Sequence, residues 1–360
     1  MKVIFERIAR FTSSLGIELP ILNAPMAGVT TPEMVAAVSE VGGLGVLAAD
    51  LLSAEEIHEA VKKVRSLTKR PFAVNLRIPT RRSEERVDSV LDALSILREE
   101  KGLQERIALP DFDSQFDALL KEDVPAIRVS FGGLREIYVE KLEKRAKERG
   151  KEKPFLIGVA TTLREAKVQR AAGVDAVIVQ GAEAGGPRLS FEDTDEALLG
   201  LMSLVGPAAR STALPVIASG GIATSAQLAA AMVLGASAVE VGTYLLTTKE
   251  SAMADFYREA FQFASDTTPR LTRLISGRLT RAIPTEIIRA LEEASISPAP
   301  YPAQYECMAP IFQAAVAEGN ADYADLSCGV SIPRGVPEET SSAIRTLWEG
   351  AKVDFLGECK

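Results

Sequence analysis

The feature that most constrains this chain is an alternation of short apolar runs with amphipathic helical patterns over residues 1–262. Between the runs, apolar residues recur at i, i+3 and i+4, which is typical of helices with one buried face. The eight predicted strands are 20–24, 44–49, 72–78, 126–131, 155–160, 176–181, 215–220 and 238–245. Strands that are apolar almost throughout indicate a parallel sheet covered by helices on both faces.

Eight such strands predict an α/β fold, the (β/α)8 TIM barrel. An open, doubly wound sheet is the structural alternative. The count of eight and the glycines after the late strands favour the barrel, because a closed sheet leaves no edge strand. A barrel needs roughly 250 residues, and this chain has 360, so substantial additions are expected.

The additions fall in three places. A charged, helical insertion at 80–110 separates the third strand from the fourth. After the barrel, which we place at 1–262, the proline-rich stretch 263–335 predicts a C-terminal cap, inserted after strand eight, that forms the substrate region. The segment 336–360 begins with proline and acidic residues, which suit a helix N-terminus. It predicts a helix that returns to the barrel.

Composition excludes several classes of function. A net charge of −8 offers no basic stripe for nucleic acid, and no run reaches the ~18 apolar residues of a membrane span. Three cysteines without a CxxC pair, and an N-terminus without an apolar signal region, predict a cytoplasmic protein. The single histidine, His58, lies in a helical pattern, so no metal site is expected. Oligomeric state stays open.

Candidate binding residues directly follow the late strands, where barrels place their active sites. SGGIAT (219–224) and GTYLL (242–246) bring Ser219, Gly220, Gly221, Gly242 and Thr243 to two adjacent strand ends. Unsubstituted backbone amides at this position predict a phosphate cradle. The alternative is that the glycines serve only to make turns.

Three further motifs suit a flat aromatic ligand. In NAPMAG, Pro25 and Met26 offer an apolar, polarizable surface, with core packing as the alternative. Asn75 is a polar residue in an apolar strand and needs a partner, which a ring or a buried structural contact would supply. After strand six, Gln180 can direct an amide toward a heterocycle, and Gly185–Gly186 permits close backbone approach.

In order along the chain, NAPMAG, GGLG, FAVNL, GVDAVIVQGAEAGG, PVIASGGIAT and VGTYLLTTKES resemble the motifs of the nitronate monooxygenase family, formerly called 2-nitropropane dioxygenases. That resemblance implies a flavoprotein oxidoreductase with FMN as cofactor, a small-molecule substrate and O2. It implies that Ala24, Pro25 and Met26 contact the isoalloxazine, and that Asn75 and Gln180 hydrogen-bond its polar atoms. The residues it implies at the ribityl phosphate end are Gly185, Gly186, Ser219, Gly220, Gly221, Gly242 and Thr243.

One position departs from the family pattern, which reads EAGGH where this chain reads EAGGP. Pro187 cannot titrate, so the usual histidine base is missing and the catalytic residue is unknown. Glu183 is a weak candidate replacement. Tyr301 and Tyr305 are candidate proton donors, with packing as the alternative.

The missing base bears on the reaction, because a neutral nitroalkane must lose a carbon-bound proton whereas a nitronate is already an anion. We therefore predict oxidation of alkyl nitronates. One alternative is an NAD(P)H-dependent reductase of quinone or enoyl substrates. The other is a flavin-binding protein without catalysis.

Overall fold

The computed structural model describes residues 2–80, 87–333 and 338–356. Its strands are β1 (Ile21–Asn23), β2 (Gly45–Ala48), β3 (Phe72–Arg77), β4 (Ala126–Ser130), β5 (Phe155–Ala160), β6 (Ala176–Gln180), β7 (Gly186–Pro187), β8 (Val216–Ser219), β9 (Ala238–Val241), β10 (Arg270–Thr272) and β11 (Thr280–Ala282). Its helices are α1 (Lys2–Leu15), α2 (Pro32–Glu40), α3 (Ala54–Leu67), α4 (Asp88–Lys101), α5 (Phe112–Glu122), α6 (Glu136–Arg149), α7 (Leu163–Ala171), α8 (Leu201–Ser211), α9 (Ser225–Leu234), α10 (Asp255–Phe263), α11 (Glu286–Glu293), α12 (Ala303–Glu318) and α13 (Thr340–Leu356).

The predicted TIM barrel is confirmed. Eight parallel strands follow the order β1-β9-β8-β6-β5-β4-β3-β2, and a parallel bridge from Leu22 to Leu44 links the two ends of that order. Each predicted run contains one of these strands. The last prediction, 238–245, extends too far, because β9 ends at Val241 and Thr243–Leu245 forms a 3₁₀ turn. At Gly242 the backbone has φ −111° and ψ −84°, which takes the chain out of the extended conformation.

Local sequence explains where helices such as α3 begin. The Ser53 hydroxyl accepts a hydrogen bond from the Glu56 amide, and the Glu56 carboxylate accepts one from the Ser53 amide. Such a capping box satisfies two amides that the helix leaves unpaired. His58 lies on this helix outside the barrel, half-exposed, with Nδ1 2.5 Å from Oε1 of Glu122. The helix therefore keeps the only histidine away from the strand ends that carry the motifs.

One end of the barrel is closed by α1, a helix that the sequence analysis did not predict. Phe11 and Leu15 of α1 join an apolar cluster with Leu22, Leu44 and Val46 from the barrel strands. Burial of these side chains removes apolar surface from water and stabilises the closed end. The polar motifs follow the carboxyl ends of the strands, at the opposite end.

The additions pack together over the open end. Val90 and Leu94 of α4, in the 80–110 insertion, share a buried cluster with Leu274, Ile288 and Met308 of the C-terminal addition. Strands β10 and β11 pair with β7 in an antiparallel three-stranded sheet, which ties that addition to the loop after β6. Residues 81–86 of the insertion lie outside the described residues.

The last helix, α13, packs against α9 and α2. Because α9 follows β8 and α2 follows β1, α13 occupies the place of the helix after the last barrel strand. Of the predicted segment 336–360, residues 336–337 and 357–360 lie outside the described residues. The domain division 1–262, 263–335 and 336–360 stays a prediction.

Two negative findings concern residues 2–80, 87–333 and 338–356. None of their helices is long and apolar enough to cross a membrane. Within the same ranges, no group of three or more His, Cys, Asp or Glu side chains could hold a metal ion.

Candidate functional site

The motifs that lie far apart in the sequence converge on one cavity at the carboxyl ends of the barrel strands. The twelve candidate residues that line it are Ala24, Pro25, Met26, Asn75, Gln180, Gly185, Gly186, Ser219, Gly220, Gly221, Gly242 and Thr243. Pro187 lines the same cavity. The convergence is a consequence of parallel topology, because every strand of a barrel delivers its C-terminal residues to the same end. The contact of each residue with a cofactor stays a prediction.

The glycine motif after β8 has the geometry of an anion cradle. Gly220 and Gly221 have φ of +108° and +71°, a conformation that other residues rarely adopt. A Cβ atom on Gly221 would stand 2.9 Å from Cβ of Glu183. Within the described part of the chain, the amides of Gly220, Gly221 and Thr243 donate to no acceptor. Successive unpaired amides at a barrel mouth suit a phosphate group.

The C-terminal addition contributes a segment beside this cradle, which the sequence analysis missed. Ser331 donates a hydrogen bond from its hydroxyl to the Gly221 carbonyl at 2.9 Å, and the Gly329 amide donates to the Thr243 hydroxyl at 2.8 Å. Both Gly329 and Ser331 line the cavity. Small residues in the segment 326–331 were the only signal, and no periodic pattern marks them.

That same segment explains one of the glycines differently from the prediction. A Cβ atom on Gly185 would lie 2.3 Å from the carbonyl carbon of Cys328. The backbone of the C-terminal addition by itself therefore requires glycine at 185, and the predicted contact of Gly185 with a cofactor stays a prediction. Gly186 has φ +71° and open space around its missing Cβ atom, so its requirement is conformational.

The floor of the cavity is a buried ion pair that spans the barrel. Arg128 on β4 donates from Nε and Nη2 to the two carboxylate oxygens of Glu240 on β9, at 2.8 and 3.0 Å. Three strands separate β4 from β9 in either direction, so the pair crosses the barrel interior. Ser219 donates to Glu240 at 2.9 Å, and Arg128 Nη1 donates to Asn75 at 2.7 Å.

This network supplies the partner that Asn75 requires, so the structural alternative for Asn75 is realised while its side chain still lines the cavity. The sequence analysis missed Arg128 and Glu240. The signal was present, since each is the single charged residue of a buried, largely apolar strand, AIRVS and AVEV. A charge at such a position is expensive unless it is paired, and it therefore marks a facing partner.

A second polar cluster lies at the rim. Arg77 pairs with Asp50 and donates to the Tyr301 hydroxyl at 2.5 Å, while its guanidinium lies 5.1 Å from the ring centroid of Phe131. Burial raises the pKa of Tyr301, and the nearby Arg77 charge opposes that rise. Burial also raises the pKa of Tyr305. Both tyrosines line the cavity as neutral hydroxyls at ordinary pH.

Position 187 carries no titratable group into the cavity. Pro187 lies on β7 opposite Thr280 of β11, at the edge of the small sheet, where proline is tolerated because it need not donate.

The Gln180 side chain contacts the backbone of the loop that follows β6. Its Oε1 accepts from the Leu189 amide at 3.0 Å, and its Nε2 lies 3.5 Å from the Pro187 carbonyl.

Glu183 has a local structural partner. Both oxygens of its carboxylate lie 3.0 Å from the amide of Leu201, the first residue of α8. A carboxylate at a helix N-terminus satisfies an unpaired amide and interacts favourably with the helix dipole. The geometry therefore gives Glu183 a capping role and offers no support for its use as a base.

The comparisons with known proteins agree with each other. The nitronate monooxygenase family model matches residues 9–342. The chain is similar to a probable nitronate monooxygenase of Staphylococcus saprophyticus, with 35% identity over 93% of this chain and 95% of that protein. It is 36% identical to a nitronate monooxygenase of Pseudomonas aeruginosa, over 94% and 98% of the two chains.

Two solved structures superimpose on nearly the whole of this chain. A nitroalkane oxidase from Streptomyces ansochromogenes superimposes with a TM-score of 0.86 and 31% identity, covering 96% of this chain and 99% of that one. FabK from Thermotoga maritima superimposes with a TM-score of 0.74 and 28% identity, covering 97% of both chains.

Proposed function

Because this chain belongs to the nitronate monooxygenase family and is an oxidoreductase, we propose that it oxidises alkyl nitronates with FMN as cofactor and O2 as oxidant. The single observation that carries the proposal is the cavity itself. It joins a cradle of unpaired amides around Gly220 and Gly221, after β8, to the apolar surface of Ala24–Met26, after β1, and β9 lies between these two strands.

The residues present fit FMN. The cradle suits one terminal phosphate, and Met26 and Pro25 offer the apolar face that an isoalloxazine requires. FAD would need a second phosphate site, and no GxGxxG follows an early strand. When bound, FMN supplies the electron transfer from substrate to O2.

The chain's own residues then bind and orient the reactants. The Arg128–Glu240 pair closes the floor without adding net charge. Pro187, at the position where the family carries histidine, can neither take nor give a proton. A nitronate has already lost its carbon-bound proton, so its oxidation needs no base at that position. A neutral nitroalkane does need one, and a positioned base is worth ~10²–10⁴-fold in rate.

One anaerobic experiment tests the proposal. Purified holoprotein is mixed separately with an alkyl nitronate, the corresponding neutral nitroalkane, NADH and NADPH, while flavin absorbance is followed. We expect the nitronate to reduce the flavin ~10²–10⁴-fold faster than the nitroalkane does. We expect flavin reduction by NADH and by NADPH to be slow. Rapid reduction by NAD(P)H alone would establish the quinone or enoyl reductase instead, and reduction by none of the four would establish a binding protein.

The cofactor is tested separately by extraction and mass analysis. We expect one non-covalent FMN per chain. Recovery of FAD, or failure of the protein to bind added FMN, would overturn the assignment.

A further inference from the structure

Three carboxylates line the cavity, and two of them are neutralised by arginine. Asp50 pairs with Arg77, and Glu240 pairs with Arg128. Asp325, from the C-terminal addition, is the third. Among the described residues, no lysine, arginine or histidine forms an ion pair with Asp325. An ion pair therefore does not compensate the charge that an ionised Asp325 would carry.

The surroundings of Asp325 are neutral. The Ser327 hydroxyl donates to Oδ1 of Asp325 at 2.6 Å, and Tyr257 donates to the Ser327 carbonyl at 2.8 Å, which fixes the carboxyl group. The titratable groups facing it are Tyr257 on α10, Tyr305 on α12, and Cys328 in its own segment. Burial raises the pKa of Asp325, and hydrogen bonds from the Ser327 hydroxyl and amide oppose that rise without cancelling it. Burial also raises the pKa of the Cys328 thiol to about 12.

An anionic substrate cannot easily share this cavity with an ionised, unpaired carboxylate, because like charges in a poorly solvated space repel strongly. A protonated carboxyl group presents the opposite interaction, since its O–H donates a hydrogen bond. The carboxyl group of Asp325 lines the cavity while the Ser327 hydroxyl engages its Oδ1, so a bound substrate can meet the carboxyl group.

We propose that Asp325 binds the nitronate as a neutral carboxylic acid, donating a hydrogen bond from its carboxyl O–H to a nitronate oxygen. This rests on the proposed function and identifies what recognises the substrate's charge. The proton balance is simple. When free Asp325 is ionised, binding of the anion takes one proton from solvent, and no bond in the substrate is broken. Affinity for the anion therefore falls as pH rises through the range in which free Asp325 loses its proton.

The test measures that proton with nitrate, a planar oxyanion that cannot be oxidised by the flavin. Nitrate is titrated calorimetrically into the holoprotein in two buffers that differ in enthalpy of protonation, at several pH values. We expect a proton uptake that rises with pH toward one per nitrate bound. In Asp325→Asn, whose amide still donates a hydrogen bond, we expect no uptake and an affinity independent of pH.

A second variant measures the strength of the hydrogen bond from Asp325. Because a hydrogen bond to a charged group strengthens binding, we expect Asp325→Ala to weaken nitrate binding by about 10- to 100-fold at low pH. We expect the nitrate affinity of Asp325→Asn to stay within about threefold of the wild type, since its amide still donates. Flavin retention and thermal unfolding of both variants serve as folding controls. The pH dependence of KM for the nitronate is the parallel measurement, with a fall in affinity at high pH expected only in the wild type.

Two results would overturn the inference. One is nitrate binding without proton uptake in the wild type. The other is a nitronate KM that responds to pH equally in the wild type and in Asp325→Asn. If nitrate binding to the wild type takes up no proton and Asp325→Asn loses activity toward neutral nitroalkanes, Asp325 would instead be established as a base. Failure of the proposed function is separate, because it is measured by flavin reduction and not by nitrate binding.

Discussion

Replacing Glu240 with glutamine should destabilise the protein severely, because it leaves the charge of Arg128 buried without a counter-ion. Both side chains are 2% exposed, and the carboxylate accepts two hydrogen bonds from Arg128 and one from Ser219. An amide keeps one acceptor oxygen and turns an NH2 group toward donors. Breaking a buried pair by removing one partner typically costs 3–5 kcal/mol. The remaining contact of Arg128 with Asn75 does not supply charge, so we expect a loss of about 3 kcal/mol or more.

The assay is urea unfolding of the wild type and Glu240→Gln at matched flavin content, since bound ligand adds its own stabilisation. The same substitution at Glu18, which pairs with Arg70 at 2.6 Å on the surface, is the control and should change nothing measurable. The double variant Arg128→Met/Glu240→Gln should be more stable than Glu240→Gln alone, because the uncompensated charge is gone. A loss below about 1 kcal/mol in Glu240→Gln, or no rescue in the double variant, would refute the reasoning.

Three further predictions concern the cradle, the missing base and a buried tyrosine. Gly221→Asp should abolish flavin retention, measured by absorbance after gel filtration. Gly173→Asp has a similar φ of +78° and open space, and it should retain flavin; equal retention by both variants would show that the phosphate site is misplaced. Pro187→His should raise turnover of neutral nitroalkanes by up to ~10²-fold while leaving nitronate turnover unchanged, and an unchanged ratio would contradict the base argument. Burial and the nearby Glu338 raise the pKa of Tyr244 to about 12, so the free energy of unfolding should fall as pH rises from about 10 to 12. In Tyr244→Phe that fall should be smaller, and an identical pH profile would exclude the contribution.

The alternation of apolar runs was sufficient to predict the barrel because helical and strand periodicities are local properties of the chain. The same locality explains the error at the end of β9, since Thr243–Leu245 has the composition of a strand and only the backbone turn at Gly242 takes it out of the sheet. Motif residues could be assigned to one cavity without coordinates, because parallel topology delivers every strand's C-terminal end to the same mouth.

The sequence could not predict which distant residues pair with each other. Arg128 and Glu240 each stood out as a charge in an apolar strand, yet neither sequence position says what the other faces across the barrel. Asp325 gave no signal at all, because an aspartate in an irregular segment is ordinary until packing against distant segments removes part of its solvent.

The sequence by itself determined the barrel and the place of each strand to within a few residues, because helical and strand patterns depend on residue type and spacing over a few neighbours. It also placed the glycine motif directly after a strand. Only the tertiary structure decided that Glu183 caps α8. It also decided that position 185 must be glycine, because the backbone at Cys328 leaves no room for a side chain there. It also decided that Asp325 shares the cavity with the predicted cofactor residues. The reason is that solvation and charge pairing depend on which distant segments pack together, and close packing sets those neighbours only once the whole chain has folded.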